Sequence, residues 1–277
     1  MAVVSSSFLR HPAVAAIAVV GVLAAGGTAA ANDRLPIFQA ERVAPVELST
    51  ADLLAIPELA AYGDVVVEGR PGLHRVADPA AAAAETGLDL PSVTTLPGGV
   101  RGERVIEVGG PVHATFTFDM ERVARAAAAD GQVLSPEPPG LDGTQVHLDG
   151  GPGVAQVWSS ASGRPSLVVA RAVAPTLSTT GLPVDVVRDH LLLLPGLPPE
   201  VTARLRALPA DPSTLLLPVL VDRVDTSTVT VDGVPARLLT TRDGAMAGVV
   251  WVQDGVVTVV TGALDADEVL SVARGLG

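Results

Sequence analysis

Four histidines, His74, His113, His147 and His190, are the residues of 32–277 best suited to proton transfer or metal binding. None stands in HExxH or HxxxH spacing, so a zinc site of the kind that one helix face supplies is not encoded. A Ser-His-Asp relay assembles from distant residues and is open to any such chain, but the GxSxG elbow that would present a nucleophile is missing. Asp142 and Asp149 lie among turn glycines without the Asp-x-Asp-x-Asp-Gly pattern of a calcium loop. Glu103 with Glu107, and Asp265 with Asp267 and Glu268, read as a solvated face and a helix start rather than as the two carboxylates of a glycosidase. All 18 basic residues are Arg, and there is no Cys. That removes the Schiff-base and P-loop lysines, the thiol nucleophile, thiolate metal sites, disulfides and a lipid-anchoring cysteine. The sequence calls for no cofactor and no catalytic residue, and the expectation is a protein that is not an enzyme.

The other constellation is the run from His190 to Leu208, HLLLLPGLPPEVTARLRAL. It has the outline of a helix-hairpin-helix, whose turn offers backbone amides to a DNA phosphate. Gly196 is in place, but the second glycine position is Pro198, which has no N–H to give. Residues 32–277 carry 17 Arg against 30 acids, a net charge of −13 that repels nucleic acid. With aromatics at 3%, recognition by a large amphipathic side chain falls to Tyr62, Trp158 and Trp251, the candidate contacts for a partner or ligand.

The elements that must hold these residues follow an N-terminal run, Pro12 to Ala31, of 20 residues without a charge. It has the length of a membrane span, and it also ends in Ala29-Ala30-Ala31 before Asn32, as a cleaved signal peptide does. The expected layout is a short cytoplasmic tail over 1–11, an anchor or signal over 12–31, a linker over 32–46, and an extracytoplasmic domain over 47–277. A subdomain boundary is open at 174–181. The location is then the bacterial cell membrane, single-pass with the body outside, or secretion after cleavage at Ala31.

Within the domain, Asp78-Pro79 caps a poly-alanine helix that stops at Gly87, and Asp119 caps another over Met120 to Ala129. Strands are expected over Asp64–Glu68, Glu103–Val108, Val112–Phe118, Thr144–Leu148, Val154–Trp158, Ser166–Val173 and Thr214–Val221. A helix pair spans 183–208. Asp232-Gly233, Asp243-Gly244 and Asp254-Gly255 recur every 11 residues and mark tight hairpins of a C-terminal meander. The last of these pairs Val252 with Val257, Trp251 with Thr258 and Val250 with Val259. Val250, Val252, Val257 and Val259 then share one face, onto which the final helix, capped by Asp265 and stopped by a Schellman turn at Gly275, is expected to pack. The fold class is α+β: a twisted antiparallel sheet, open to closure as a half-barrel, with helices on one face.

Several local runs resemble a family of uncharacterised bacterial extracytoplasmic proteins with one N-terminal apolar segment. They are Ile56-Pro57-Glu58-Leu59 with Ala61-Tyr62-Gly63, Ala84-Glu85-Thr86-Gly87-Leu88, Leu96-Pro97-Gly98-Gly99-Val100, Phe116-Thr117-Phe118-Asp119, Gly140-Leu141-Asp142-Gly143, Leu194-Pro195-Gly196-Leu197 and Gly248-Val249-Val250-Trp251. The C-terminal module is similar to a domain of unknown function found outside the membrane in some anti-sigma-factor and sporulation-related proteins. More distantly it is similar to the half-barrel of lipoprotein carriers. The resemblance implies a fold type and a location and carries no catalytic residues. Some ten residues before the apolar run are too few for a cytoplasmic sigma-binding domain. The expected role is a tethered binding, sensing or accessory domain whose partner is another membrane protein or an envelope component. The alternative is a carrier of a lipid or other apolar ligand, and the third class is an envelope hydrolase.

Overall fold

In a computed structural model the described residues are 40–55, 58–69, 72–134, 136–160, 165–207 and 213–277. The apolar segment over 12–31 lies outside them. No helix of the described residues is long and apolar enough to cross a membrane. Among the described residues the architecture is mostly β, with six α-helices and antiparallel sheets that do not close into a barrel.

The strands are β1 Arg42–Leu48, β2 Gly63–Gly69, β3 His74–Val76, β4 Arg104–Gly109, β5 Val112–Phe118, β6 Gln145–Gly150 and β7 Gly153–Ser159. They continue with β8 Pro165–Val173, β9 Thr176–Thr179, β10 Thr214–Leu220, β11 Val224–Val231, β12 Val234–Thr241, β13 Ala247–Gln253 and β14 Val256–Gly262. The helices are α1 Thr50–Ala55, α2 Pro79–Thr86, α3 Met120–Ala129, α4 Val184–Leu191, α5 Pro199–Ala207 and α6 Ala266–Arg274, with a 3-10 turn at Leu59–Ala61. Eight strands order as β11-β12-β13-β14-β8-β7-β4-β3, and four as β2-β5-β6-β9.

The two antiparallel sheets are one surface bent along a line of prolines. Strands β5 and β4, β6 and β7, and β9 and β8 are chain neighbours in matching positions of the two sheets. They are separated by Gly110-Pro111, Gly151-Pro152 and Ala174-Pro175. Proline has no N–H for the ladder, so pairing stops at the same level in three adjacent strands. Side-chain alternation nevertheless runs through each break. Ile106 and Val108 share parity with Phe116 and Phe118, Val154 with Val146, and Val169 with Leu177, and all are buried. This continuous inner face carries α2 through Ala82 and α6 through Val269 and Val272. Farther along it carries Val184 and Val187 of α4 and Val123 of α3.

The last hairpin has the expected register, with Val250 opposite Val259, Trp251 opposite Thr258 and Val252 opposite Val257. The face taken by α6 is the reverse of the expected one. α6 sits on Val249, Trp251 and Val260, while Val250, Val252 and Val257 are buried under a separate layer, β1 paired in parallel with β10 plus Val201 of α5. Both faces of the meander are therefore covered, and helices lie on both sides. The all-valine patch is buried chiefly by a second β layer with Val43, Val46, Leu215 and Leu216, to which α5 adds Val201.

Other local expectations also shift. Residues 42–46, read as linker, belong to β1, and 176–179, inside the suggested boundary, form β9, which pairs with β6. Asp232 and Asp254 take positive φ, as type I′ turns need, but the chain at Asp243-Gly244 makes a longer loop from Arg242 to Met246. Asp265 and Glu268 form the expected capping box. Gly275 has φ −98°, so α6 ends without a Schellman turn, and Leu276 instead bridges to Val93.

Candidate functional site

The aromatic candidates are packing residues. Trp158 and Trp251 are both 5% exposed and lie in one core cluster beneath α6. Tyr62 is 3% exposed, and its hydroxyl donates to the Pro195 carbonyl; burial raises its pKa, with the charge of Asp130 adding to the effect. That bond also draws the helix-hairpin-helix-like turn inward. Leu194 and Pro195 are buried, and the turn's carbonyl faces a tyrosine rather than solvent.

The histidines do not converge on a catalytic arrangement. His74 pairs with Glu85 at 2.8 Å on the surface, and His190 is buried with its ring edge-on to Phe118. Desolvation lowers the His190 pKa, against an opposing pull from Glu137. His113 and His147 share the outer face of the four-stranded sheet. His113 Nδ1 lies 2.6 Å from Asp149, and His147 Nδ1 lies 3.1 Å from the Thr115 hydroxyl. Among the described residues no hydroxyl completes the His113–Asp149 pair into a relay, and no group of three His, Cys, Asp or Glu side chains could hold a metal. Several of the other acids have structural partners. Asp142 accepts from the Met120 N–H, Asp119 and Asp265 cap helices, and Glu107 lies 3.7 Å from Arg75.

What the fold leaves open is an edge. β2 pairs with β5 on one side, and no described strand pairs with the other. Its side chains from Asp64 to Gly69 are all exposed, and Val65, Val66 and Val67 reach 45%, 52% and 57%. Three consecutive exposed valines on a strand with a free edge are unusual, because such edges invite pairing with another chain. The stretch Asp-Val-Val-Val-Glu carried a signal for this, since a half-buried strand alternates and this one does not.

At its N-terminal end the edge runs into an open groove of about 510 Å³ between the 3-10 turn and α3, lined by Ala60, Ala61, Arg122, Arg125 and Ala126. Arg122 Nη1 donates to the Gly63 carbonyl at 2.8 Å, and its guanidinium pairs with Asp64 at 2.7 Å and Asp119 at 3.1 Å. Arg125 Nε donates to the Glu121 carbonyl, and Arg125 has no ion pair among the described residues.

A second uncovered surface lies on the outer face, where Val105, Ala155, Val157, Val168 and Ala170 are only partly buried, beside the His113–Asp149 row. No family model, no curated protein and no solved structure matches the chain.

Proposed function

We propose that the protein is a non-catalytic binding domain that works outside the cytoplasmic membrane, tethered or released according to the fate of residues 12–31, and that its ligand is a polypeptide. The observation that supports this is the β2 edge. A row of backbone groups that no described strand pairs, flanked by exposed valines, gives main-chain hydrogen bonds and apolar contact to an added strand, the physics of β-augmentation. The acidic body and the dispersed histidines fit a binder better than a hydrolase. The resemblance to extracytoplasmic domains of anti-sigma and sporulation proteins agrees with sensing or accessory work beside another membrane protein.

The test is to solubilise native membranes gently, recover the tagged full-length protein, and analyse bound protein and lipid together by mass spectrometry. A stoichiometric membrane partner that is lost in a Val65→Pro variant supports the reading. A partner that survives that change places recognition elsewhere, and a bound lipid with no protein overturns it.

A second reading, a carrier of an apolar ligand in a half-barrel, is favoured by one specific feature. The Val105, Val157 and Val168 strip lies on a sheet that bends along its prolines without closing. The same mass-spectrometry run decides between the two.

A further inference from the structure

Resting on the polypeptide-binding reading above, we propose that β2 receives the C-terminal end of an extended polypeptide. The peptide adds to β2 as an antiparallel fifth strand and ends with its free carboxylate at Arg125. The direction of the backbone groups comes first. Phe118 N–H donates to the Thr144 carbonyl, and the Gly63 carbonyl accepts from Arg122, so the facing pair Gly63 and Phe118 exchanges no ladder bonds. Antiparallel pairing alternates bonded and non-bonded pairs. Asp64, Val66 and Glu68 therefore bond to β5, while Val65 and Val67 turn their N–H and C=O groups toward the open side.

The end of the site follows from Arg122. Its guanidinium occupies the Gly63 carbonyl, so a strand added along β2 finds no further acceptor past that point and has to stop. An antiparallel strand arrives there with its carboxyl end. The groove at that end is lined by two arginines and three alanines, with no carboxylate in its wall. Arg122 is already engaged by Asp64 and Asp119, which leaves Arg125 as the cation for an incoming carboxylate. Along the strand, residues facing Val65 and Val67 lie on the apolar side. Residues facing Asp64 and Glu68 lie on the acidic side, where Lys or Arg is favoured.

The probe is an acetylated, fluorescently labelled peptide, Val-Lys-Val-Thr-Val-Lys-Val, with a free C-terminus. It is titrated against the full chain by anisotropy beside its C-terminal amide. The acid is expected to bind at least about tenfold more tightly than the amide, the effect of one charge-assisted contact. Arg125→Ala should weaken the acid by that factor and leave the amide unchanged. Methylating the peptide nitrogen three residues from its end, opposite Val65, should abolish binding without touching the protein. Val65→Pro should do the same while leaving the circular dichroism intact, because the N–H it removes points away from β5. Equal binding of acid and amide, or indifference to the methyl group, overturns the inference. If the full-length protein keeps a stoichiometric membrane partner while neither peptide binds, the inference falls and the binding reading stands. If both are missing, both fall.

Discussion

Tyr62 and His190 show how chemistry-bearing residues are put to structural use. The Tyr62 hydroxyl holds the Pro195 carbonyl, so Tyr62→Phe should cost about 1 kcal/mol in urea unfolding, the net worth of a buried hydrogen bond. Burial holds the folded Tyr62 pKa above its usual 10. The unfolded chain then loses that proton first, so stability should fall as pH rises above about 10, and Tyr62→Phe should flatten that fall. His190 has the opposite sign. Its folded pKa is depressed, mainly by desolvation, so the unfolded state binds the proton more readily below about pH 6.5. Stability should decline from pH 7 toward pH 5, and His190→Leu should remove that part of the decline. None of this burial was legible from the residue types, because nothing local distinguishes a tyrosine or tryptophan that seals a core from one that waits on a surface.

Among the elements, the bend line is an unforgiving feature. A Cβ on Gly151 would stand 2.2 Å from the Cβ of Val173, so Gly151→Ala must push two adjacent strands apart. We expect a loss of about 2–3 kcal/mol, measured as a shift in the urea midpoint. Gly233 meets nothing within 4 Å but has φ +84°, so Gly233→Ala should cost only about 1 kcal/mol, through backbone strain alone. The hairpins around Asp232 and Asp254 were readable because turn type and register are local properties. Val252 faces Val257 once Asp254-Gly255 is a two-residue loop. The face that α6 chooses is not local. Both sides of β13 are apolar, and only the arrival of β1 and β10 decides which side is left for the helix. Pro111, Pro152 and Pro175 were visible as breaks, but their alignment across neighbouring strands appears only when the sheet order is known.

Across the whole molecule, two carboxylates, half-buried Asp52 and exposed Asp222, tie the β1–β10 layer together. Hydrogen bonds from Ser49, first its backbone N–H and then its hydroxyl, lower the Asp52 pKa, with Arg204 at 2.8 Å adding to the effect. The Thr50 hydroxyl, 2.5 Å away, is the leading cause of the lowered Asp222 pKa. Their stabilising contribution is complete above the unfolded carboxylate value near pH 4 and is lost as pH falls through the lower folded values. Asp222→Asn should therefore make unfolding between pH 4 and pH 2, followed by circular dichroism, shallower than in the native protein. The candidate site was half legible. Arg122 and Arg125 one turn apart and the valine run were all in view, but that β2 ends at an edge is a property of the completed sheet order.

The parallel pairing of β1 with β10 also sets an order of assembly. Arg42 lies opposite Thr214, 172 residues later in the chain, and Thr50 meets Asp222 across the same span. During synthesis β1 emerges among the first described residues and has no strand partner until Thr214–Leu220 have followed. Consecutive pairs such as β7 with β8 can form locally in the meantime, but closing so long a loop comes late. Until β1 and β10 dock, the face formed by Val250, Val252 and Val257 stays wet. A chain cut short before residue 214 has no β10 to offer β1, so this protein should tolerate C-terminal truncation poorly and depend during its biogenesis on protection of two separated sticky segments.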